Sequence, residues 1–153
     1  MVPLTSFDVE YSTVLQDRNG ELLSASIAKD GQWRFPPTRN IPHKYKMALL
    51  TFEDKRFYSH FGVDPLAIGR AVRLNAQAGE VVSGASTITM QVVRLSRSGK
   101  SRTVLEKIRE ALLAMHLEVR HSKEEILGMY ASHAPYGGNV VGLDAASWRY
   151  FGR

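Results

Sequence analysis

Residues 53–64 read Glu-Asp-Lys-Arg-Phe-Tyr-Ser-His-Phe-Gly-Val-Asp, and two adjacent carboxylates open this stretch. The apolar run of residues 47–52 comes directly before them. A carboxylate at the edge of a hydrophobic core has a raised pKa, because burial disfavours its charged form. The C-terminal end of a helix acts in the same direction. Glu53 is therefore a candidate general acid or base.

Composition limits the possible classes of protein. The chain has 153 residues, of which 44% are hydrophobic, and this length is sufficient for one domain with a core. It has no cysteine, which excludes a disulfide framework and a cysteine-based zinc site. The formal net charge of +5 suits an anionic partner: nucleic acid, a membrane surface or a phosphate-bearing substrate.

Turn signals and periodicity predict a short hairpin followed by helices. Asn19-Gly20 predicts a hairpin that pairs residues 14–15 with 22–27, and a third short strand is expected at residues 32–35. Helices are predicted at residues 42–53, 65–79, 88–95, 104–119, 123–131 and 144–151. The apolar positions expected to face the core are 66, 68, 71, 72 and 76 in the second helix and 105, 108, 112, 115 and 117 in the fourth. Trp33, Phe35 and Tyr45 either pack the small lobe or contact a bilayer.

Residues 84–91, Gly-Ala-Ser-Thr-Ile-Thr-Met-Gln, form a candidate anion site. Gly84 allows close backbone approach, and Ser86 or Thr87 can cap the helix that follows. The N-terminus of a helix attracts anions, and the basic run of residues 94–109 can clamp a diphosphate. An ordinary capped helix beside a solvated basic face explains the same pattern. Glu110, inside the next helix, is either an exposed acid or a second carboxylate of the site.

Five motifs follow one another from residue 53 to residue 152. The first is Glu53-Asp54-x-x-Phe57-x-x-His60-x-Gly62, and the second is Gly84-x-Ser86-Thr87-Ile-Thr-x-Gln91. The third is Lys107-x-x-Glu110, and the fourth is Lys123-x-x-Ile-Leu-x-x-Tyr130, followed by Tyr136-Gly137. The fifth is Gly142-x-x-Ala-Ala-Ser147-x-x-Tyr-Phe-Gly152.

In these motifs the chain resembles the peptidoglycan glycosyltransferase domain of class A penicillin-binding proteins and of monofunctional transglycosylases. Met90 and Trp148 resemble the C-type subgroup most. The resemblance implies a mainly α, lysozyme-like glycosyltransferase domain with a short N-terminal β-hairpin. Residues 1–40 would be the hairpin and connector after a membrane anchor absent here, and residues 41–153 a glycosyltransferase domain truncated at its C-terminus. It further implies the periplasmic face of a bacterial inner membrane and a transpeptidase domain in the full protein.

The implied reaction polymerises lipid II into glycan strands, with inversion at the anomeric carbon and release of undecaprenyl diphosphate. Glu53 is then the base on the acceptor hydroxyl, and Glu110 is a second acid on the donor side. The residues expected to bind the diphosphate are Ser86, Thr87, Gln91, Arg94, Arg102 and Lys107. The supporting residues are Asp54, Phe57, His60, Gly62, Gly84, Lys123 and Tyr130. Asp54 is also a candidate ligand for Mg²⁺ or Mn²⁺, and no organic cofactor is expected.

Three positions depart from the family pattern, which usually has Arg at Glu106, Asn at Ser132 and Gln at Met90. These departures leave open an inactive fragment that binds lipid II. Two carboxylates in an α-rich domain also suit a lysozyme-like hydrolase, although hydrolysis needs no diphosphate clamp. A nucleic-acid-binding module has only the net charge in its favour, without a recognition pattern of basic and aromatic residues.

Overall fold

The computed structural model describes residues 7–37, 40–97 and 103–152. The elements, in chain order, are β1 (Thr13–Gln16), β2 (Leu22–Ser26), β3 (Trp33–Arg34), α1 (His43–Glu53), α2 (Pro65–Ala78), α3 (Ile88–Ser96), α4 (Val104–Arg120), α5 (Lys123–His133), β4 (Val140–Val141) and α6 (Leu143–Phe151). A short 3₁₀ turn, Phe57–Ser59, lies between α1 and α2. The predicted mainly α fold with an N-terminal hairpin is confirmed.

The hairpin and the helix ends form where the sequence predicts them. β1 and β2 pair antiparallel, and Gly20 has the positive φ of 84° that the turn requires. Asp64 caps α2 by accepting hydrogen bonds from the backbone N–H groups of Leu66 and Ala67. Ser122 and Glu125 form a complete capping box at the start of α5.

The third strand connects the N-terminal region to the last helix. β3 pairs in parallel with β4, so that Trp33 lies opposite Val140. Trp33 and Phe35 both pack against Trp148 of α6, with ring centroids 5.6 and 5.8 Å apart. These two aromatics therefore pack a small second core, and the alternative that they contact a bilayer has no support from the geometry.

Helix α3 lies at the centre of the main core and packs against both α4 and α5. Ile88, Val92 and Val93 are fully buried there. Leu117 of α4 and Ile126 of α5 are also fully buried in the same cluster. A nine-residue helix is marginal in isolation, so α3 depends on this packing for its stability.

The predicted core face of α4 is wrong. Leu117 is buried, but Leu112 is 59% exposed, and Leu105, Ile108 and Met115 are exposed as well. The buried positions are Glu110, Ala114 and Leu117, which recur at four and three residues and face α3. Small Ala114 lets the loop before α2 pack closely: a Cβ on Gly62 would lie only 2.6 Å from the backbone N of Met115.

The apolar stripe predicted for α2 is also mostly exposed. Only Ala71 is buried, whereas Leu66, Ile68 and Val72 are 66%, 41% and 64% exposed. Amphipathic spacing identifies an apolar face but not the element that covers it. Of the described helices, none is both long enough and apolar enough to span a membrane.

Two leucines of α4 provide a direct test of this packing. Leu117→Ala is expected to lower the free energy of unfolding by about 2–5 kcal/mol, because it leaves a cavity in the main core. Leu112→Ala, on the same helix, is expected to cost less than about 1 kcal/mol. Urea denaturation followed by circular dichroism measures both. Equal losses would contradict the observed orientation of α4.

Candidate active site

Asp54 lies at the centre of the hydrogen-bond network behind the site. Its side chain is buried, and both carboxylate oxygens lie 3.0 Å from Nε2 of His60. Its Oδ2 also accepts a hydrogen bond from the backbone N–H of Ile88, at the first residue of α3. Asp54 therefore joins the end of α1, the following loop and the N-terminus of α3.

Lys123 and Glu118 extend this network to the other side of the core. Lys123 Nζ donates to the His60 carbonyl and to Glu118 Oε1, each at 2.8 Å, and lies 4.3 Å from the ring centroid of Phe57. Thr89 of α3 donates to the same Glu118 oxygen at 2.6 Å. The buried Phe57 and the partly buried His60 and Lys123 thus support the loop that carries the first motif.

Glu53, the last residue of α1, is exposed rather than placed at the edge of the core. The burial expected of Glu53 falls instead on its neighbour, Asp54. Glu53 Oε2 accepts a hydrogen bond of 2.9 Å from Gln91 Nε2. Gln91 in turn accepts one from the Tyr130 hydroxyl at 3.5 Å. Sequence analysis assigned Gln91 to the substrate, whereas the structure places its amide on the candidate base.

Two tyrosines, Tyr130 and Tyr45, lie close enough to Glu53 to feel its charge, and a third, Tyr136, contacts Tyr45. Burial, with the negative charge of Glu53 next in importance, raises the pKa of Tyr130 to about 12. Its hydroxyl is therefore protonated at neutral pH and can donate to Gln91. Burial also raises the pKa of Tyr45 and of Tyr136, whose hydroxyls are hydrogen-bonded to each other. Tyr45 comes from α1 and Tyr136 follows α5, so this bond connects two walls of the site.

Glu110, the second candidate acid, is buried on α4 and bound by Arg94 of α3. Arg94 Nε and Nη2 donate to its two oxygens at 3.0 and 2.9 Å. Hydrogen bonding to Glu110 raises the pKa of Arg94, which stays charged. Arg94 Nη2 is also 3.5 Å from Ser86 Oγ. Because Gln91 and Arg94 are one turn apart on α3, this helix holds both candidate carboxylates.

The second motif forms the predicted helix cap, and Thr87 is the capping residue. Its hydroxyl donates to the Gly62 carbonyl at 2.6 Å and accepts from the backbone N–H of Met90 at 3.1 Å. Ser86 and Gly84 precede it and line a cavity beside Glu53. The start of α3 is thereby fixed against the first-motif loop.

The cations predicted to bind a diphosphate have different surroundings. Arg97 forms an ion pair with Glu106, the position that departs from the family pattern. Thr103 caps α4 by accepting a hydrogen bond from the Glu106 backbone N–H, while the Glu106 side chain is engaged by Arg97. Lys107 is exposed on α4. Arg102 lies outside the described residues.

The described residues do not fit a divalent metal at Asp54. Its oxygens already accept hydrogen bonds from His60 and Ile88. In the described ranges, no group of three or more histidine or carboxylate side chains is placed to hold a metal ion. Asp54 is therefore better suited to accepting hydrogen bonds than to coordinating Mg²⁺ or Mn²⁺.

Sequence reasoning missed two contributors to this site. Glu118 is almost fully buried and bridges Thr89 to Lys123, yet in sequence it is one acid in an amphipathic helix. For Tyr45 the sequence predicts only packing of the small lobe or contact with a bilayer. Its spacing to Glu53 on α1, two turns, is a signal that could have placed it on the same side of the helix.

The chain is similar in sequence to several known proteins. The transglycosylase family model matches residues 19–153. The chain is 40% identical to penicillin-binding protein 1C of Escherichia coli, over 99% of this chain and 20% of that protein. It is 36% identical to penicillin-binding protein 1F of Bacillus subtilis, over 93% of this chain and 20% of the relative. It is 36% identical to penicillin-binding protein 1B of Haemophilus influenzae, over 95% of this chain and 19% of that protein. The chain thus spans about a fifth of the length of the curated relatives it matches.

Neighbouring carboxylates allow a matched test of the buried network. Asp54→Asn is expected to lower the free energy of unfolding by about 1–3 kcal/mol, because the amide cannot satisfy both His60 and the Ile88 N–H as the carboxylate does. Glu53→Gln, the same chemical change one residue earlier, is expected to leave thermal stability nearly unchanged because Glu53 is exposed. Differential scanning calorimetry compares the two. A larger loss for Glu53→Gln would refute this division of roles.

The orientation of Gln91 is expected to depend on Tyr130. In Tyr130→Phe the Gln91 oxygen loses its donor, so the amide can turn and present oxygen to Glu53. We expect the side-chain NH₂ resonances of Gln91 to shift or broaden in the NMR spectrum. Tyr58→Phe is the control, since the Tyr58 hydroxyl donates to Glu124 instead. Unchanged Gln91 resonances in Tyr130→Phe would show that the phenol does not orient the amide.

Proposed function

The chain belongs to the transglycosylase family, and we propose that it is a peptidoglycan glycosyltransferase that polymerises lipid II into glycan strands. In this reaction the donor is a glycan chain on undecaprenyl diphosphate. The acceptor is the 4-hydroxyl of the N-acetylglucosamine of lipid II. Attack inverts the anomeric centre and releases the lipid diphosphate.

One observation carries this proposal: α3 holds two carboxylates through adjacent side chains of different kinds. Gln91, a neutral amide, binds Glu53, whereas Arg94, a cation, binds Glu110. An exposed carboxylate held by one amide hydrogen bond retains lone pairs that can accept a proton. A carboxylate in a two-point ion pair is better suited to orienting its partner. The two acids therefore suit different tasks.

Glu53 acts as the general base in the proposed mechanism. It accepts the proton of the acceptor hydroxyl while that oxygen forms the new glycosidic bond. The bond from the anomeric carbon to the diphosphate oxygen breaks, and the electron pair leaves with the diphosphate. Gln91 keeps the carboxylate aimed at the acceptor.

The leaving diphosphate needs cationic stabilisation, which is a large contribution when charge develops in a site that excludes water. Arg94 remains 39% exposed in its pair with Glu110, so part of its guanidinium group can reach a ligand. Ser86, one contact away, and the exposed Lys107 complete this side. Glu110 is the second acid of the proposed mechanism, and it positions Arg94 on the donor side.

The substrate is attached to a membrane lipid, and the chain has apolar surface to match. Phe52 is 87% exposed directly before Glu53, and Val81 is 88% exposed in the connector after α2. We place the domain at the outer face of the bacterial inner membrane, in a longer protein that also carries a transpeptidase domain. The chain spans about a fifth of these relatives, which supports a longer protein.

Polymerisation of lipid II by the wild-type chain tests the proposal. Glu53→Gln is expected to lower the rate of glycan formation by at least about a hundredfold, because the base is removed. Glu80→Gln, an exposed acid outside the site, is the control and should retain the wild-type rate. Gel separation of labelled glycan products measures both rates.

The same assay separates the rival activities. A wild-type chain that cleaves finished glycan and forms none from lipid II would be a hydrolase. One that binds lipid II without turnover would be an inactive fragment. Salt-sensitive binding of DNA without binding of lipid II would favour the nucleic-acid module.

A further inference from the structure

A cavity of about 410 Å³ lies between the end of α1, the first half of α2 and the segment of residues 84–87. Glu53 forms part of its wall, together with Ser86 and Thr87. The cavity is therefore open to the candidate base. Its lining also includes residues of α2 and of the segment after Glu53 to which the mechanism above assigns no role.

Three of these lining residues are cations. Lys55 and Arg56 follow α1, and Arg70 lies on α2, six residues after the capping Asp64. Lys55 and Arg70 are exposed, and in the described ranges neither has a carboxylate within ion-pairing distance. Only Arg56 has such a partner, with Nε 3.7 Å from Asp64 Oδ2.

The two buried acids of the cavity wall are already engaged. Asp54, 7% exposed, accepts from His60 and from the backbone N–H of Ile88. Asp64, 4% exposed, accepts from two backbone N–H groups at the start of α2. Their charges are thus satisfied from inside, and Lys55 and Arg70 are left to attract an anion from solvent.

Two of the cations on the other side of the site, Arg94 and Arg97, differ in this respect. Arg94 is held by Glu110 and Arg97 by Glu106, so an anion there competes with a carboxylate already in place. An anion at Lys55 and Arg70 displaces no ion pair. The cavity therefore offers the less neutralised cationic site beside Glu53.

We propose that this cavity binds the diphosphate of the acceptor substrate through Lys55 and Arg70. The inference rests on the proposed function, in which donor and acceptor each carry a lipid diphosphate. One cationic face cannot hold both, and the base must lie between the two substrates. Arg94 and Lys107 serve the donor, the cavity serves the acceptor, and Ser86, which contacts Arg94 and lines the cavity, lies between the two. The exposed Phe52 on the cavity wall suits the beginning of the acceptor's apolar chain.

Binding of inorganic pyrophosphate tests the subsite without requiring catalysis. The double variant Lys55→Gln/Arg70→Gln is compared with Lys44→Gln/Arg73→Gln, which removes equal charge from exposed positions on α1 and α2 outside the cavity. Loss of two charge-assisted hydrogen bonds at an exposed site is expected to weaken binding about tenfold. The control should change by less than about twofold. Equal weakening in both double variants, or none in either, would overturn the proposal.

Kinetics with separate substrates test the assignment to the acceptor. A lipid-linked donor whose terminal 4-hydroxyl is blocked can only donate, and lipid II then serves as acceptor. The Lys55→Gln/Arg70→Gln variant is expected to raise the acceptor KM about tenfold, with the donor KM unchanged. A rise in the donor KM alone, or no change in either, would refute the assignment.

The two proposals can fail separately. A wild-type chain that forms no glycan, but binds pyrophosphate in a way that depends on Lys55 and Arg70, would refute the proposed function and support the anion subsite. A chain that forms glycan at the wild-type rate without Lys55 and Arg70 would keep the function and remove the subsite.

Discussion

The rest of the structure depends on one buried carboxylate, that of Asp54. It accepts hydrogen bonds from His60 and from the first backbone N–H of α3, so three separate segments converge on a single group. A buried charge is costly unless it is hydrogen-bonded, and this cost fixes the geometry. Because successive residues at the end of α1 diverge, burial of Asp54 leaves Glu53 in solvent. The exposed position of Glu53 is thus a consequence of the burial and hydrogen bonding of Asp54.

Helix α3 combines two roles that are often separate. Its apolar residues Ile88, Val92 and Val93 fill the core, while Gln91 and Arg94 hold the two carboxylates at the surface. A side chain on a well-packed helix is placed more reproducibly than one on a loop. The cations around this helix are distributed unevenly. Arg94 and Arg97 are paired with acids of α4, whereas in the described ranges Lys55 and Arg70, between α1 and α2, have no acid within ion-pairing distance.

Local signals in the sequence predicted local structure well. Asn19-Gly20 predicted the hairpin, and Ser86 or Thr87 predicted the start of α3, because each signal acts through hydrogen bonds within a few residues. The buried face of α4 could not be predicted in this way. Leu112 and Leu117 are equally apolar, and the choice between them depends on small Ala114 and on contacts with α3.

The candidate site was predictable where the family motifs cover it, and less so elsewhere. Glu53, Glu110 and the second motif were identified from sequence, but the partner of each acid was not, since Gln91 and Arg94 both resembled ligand-binding residues. Glu118 and the cavity cations Lys55 and Arg70 belong to no motif in the sequence. Their significance comes from long-range contacts that periodicity does not encode.

The packing of α3 has a consequence for the motions of the domain. Side chains of α3 bind both carboxylates, and the inner face of this helix is fully buried. The helix therefore cannot open locally without exposing the main core. Its backbone amides should therefore exchange with solvent only through global unfolding, whereas those at the exposed ends of α2 exchange through small fluctuations. Movements that open the candidate site must then come from the elements around α3, while α3 itself stays fixed.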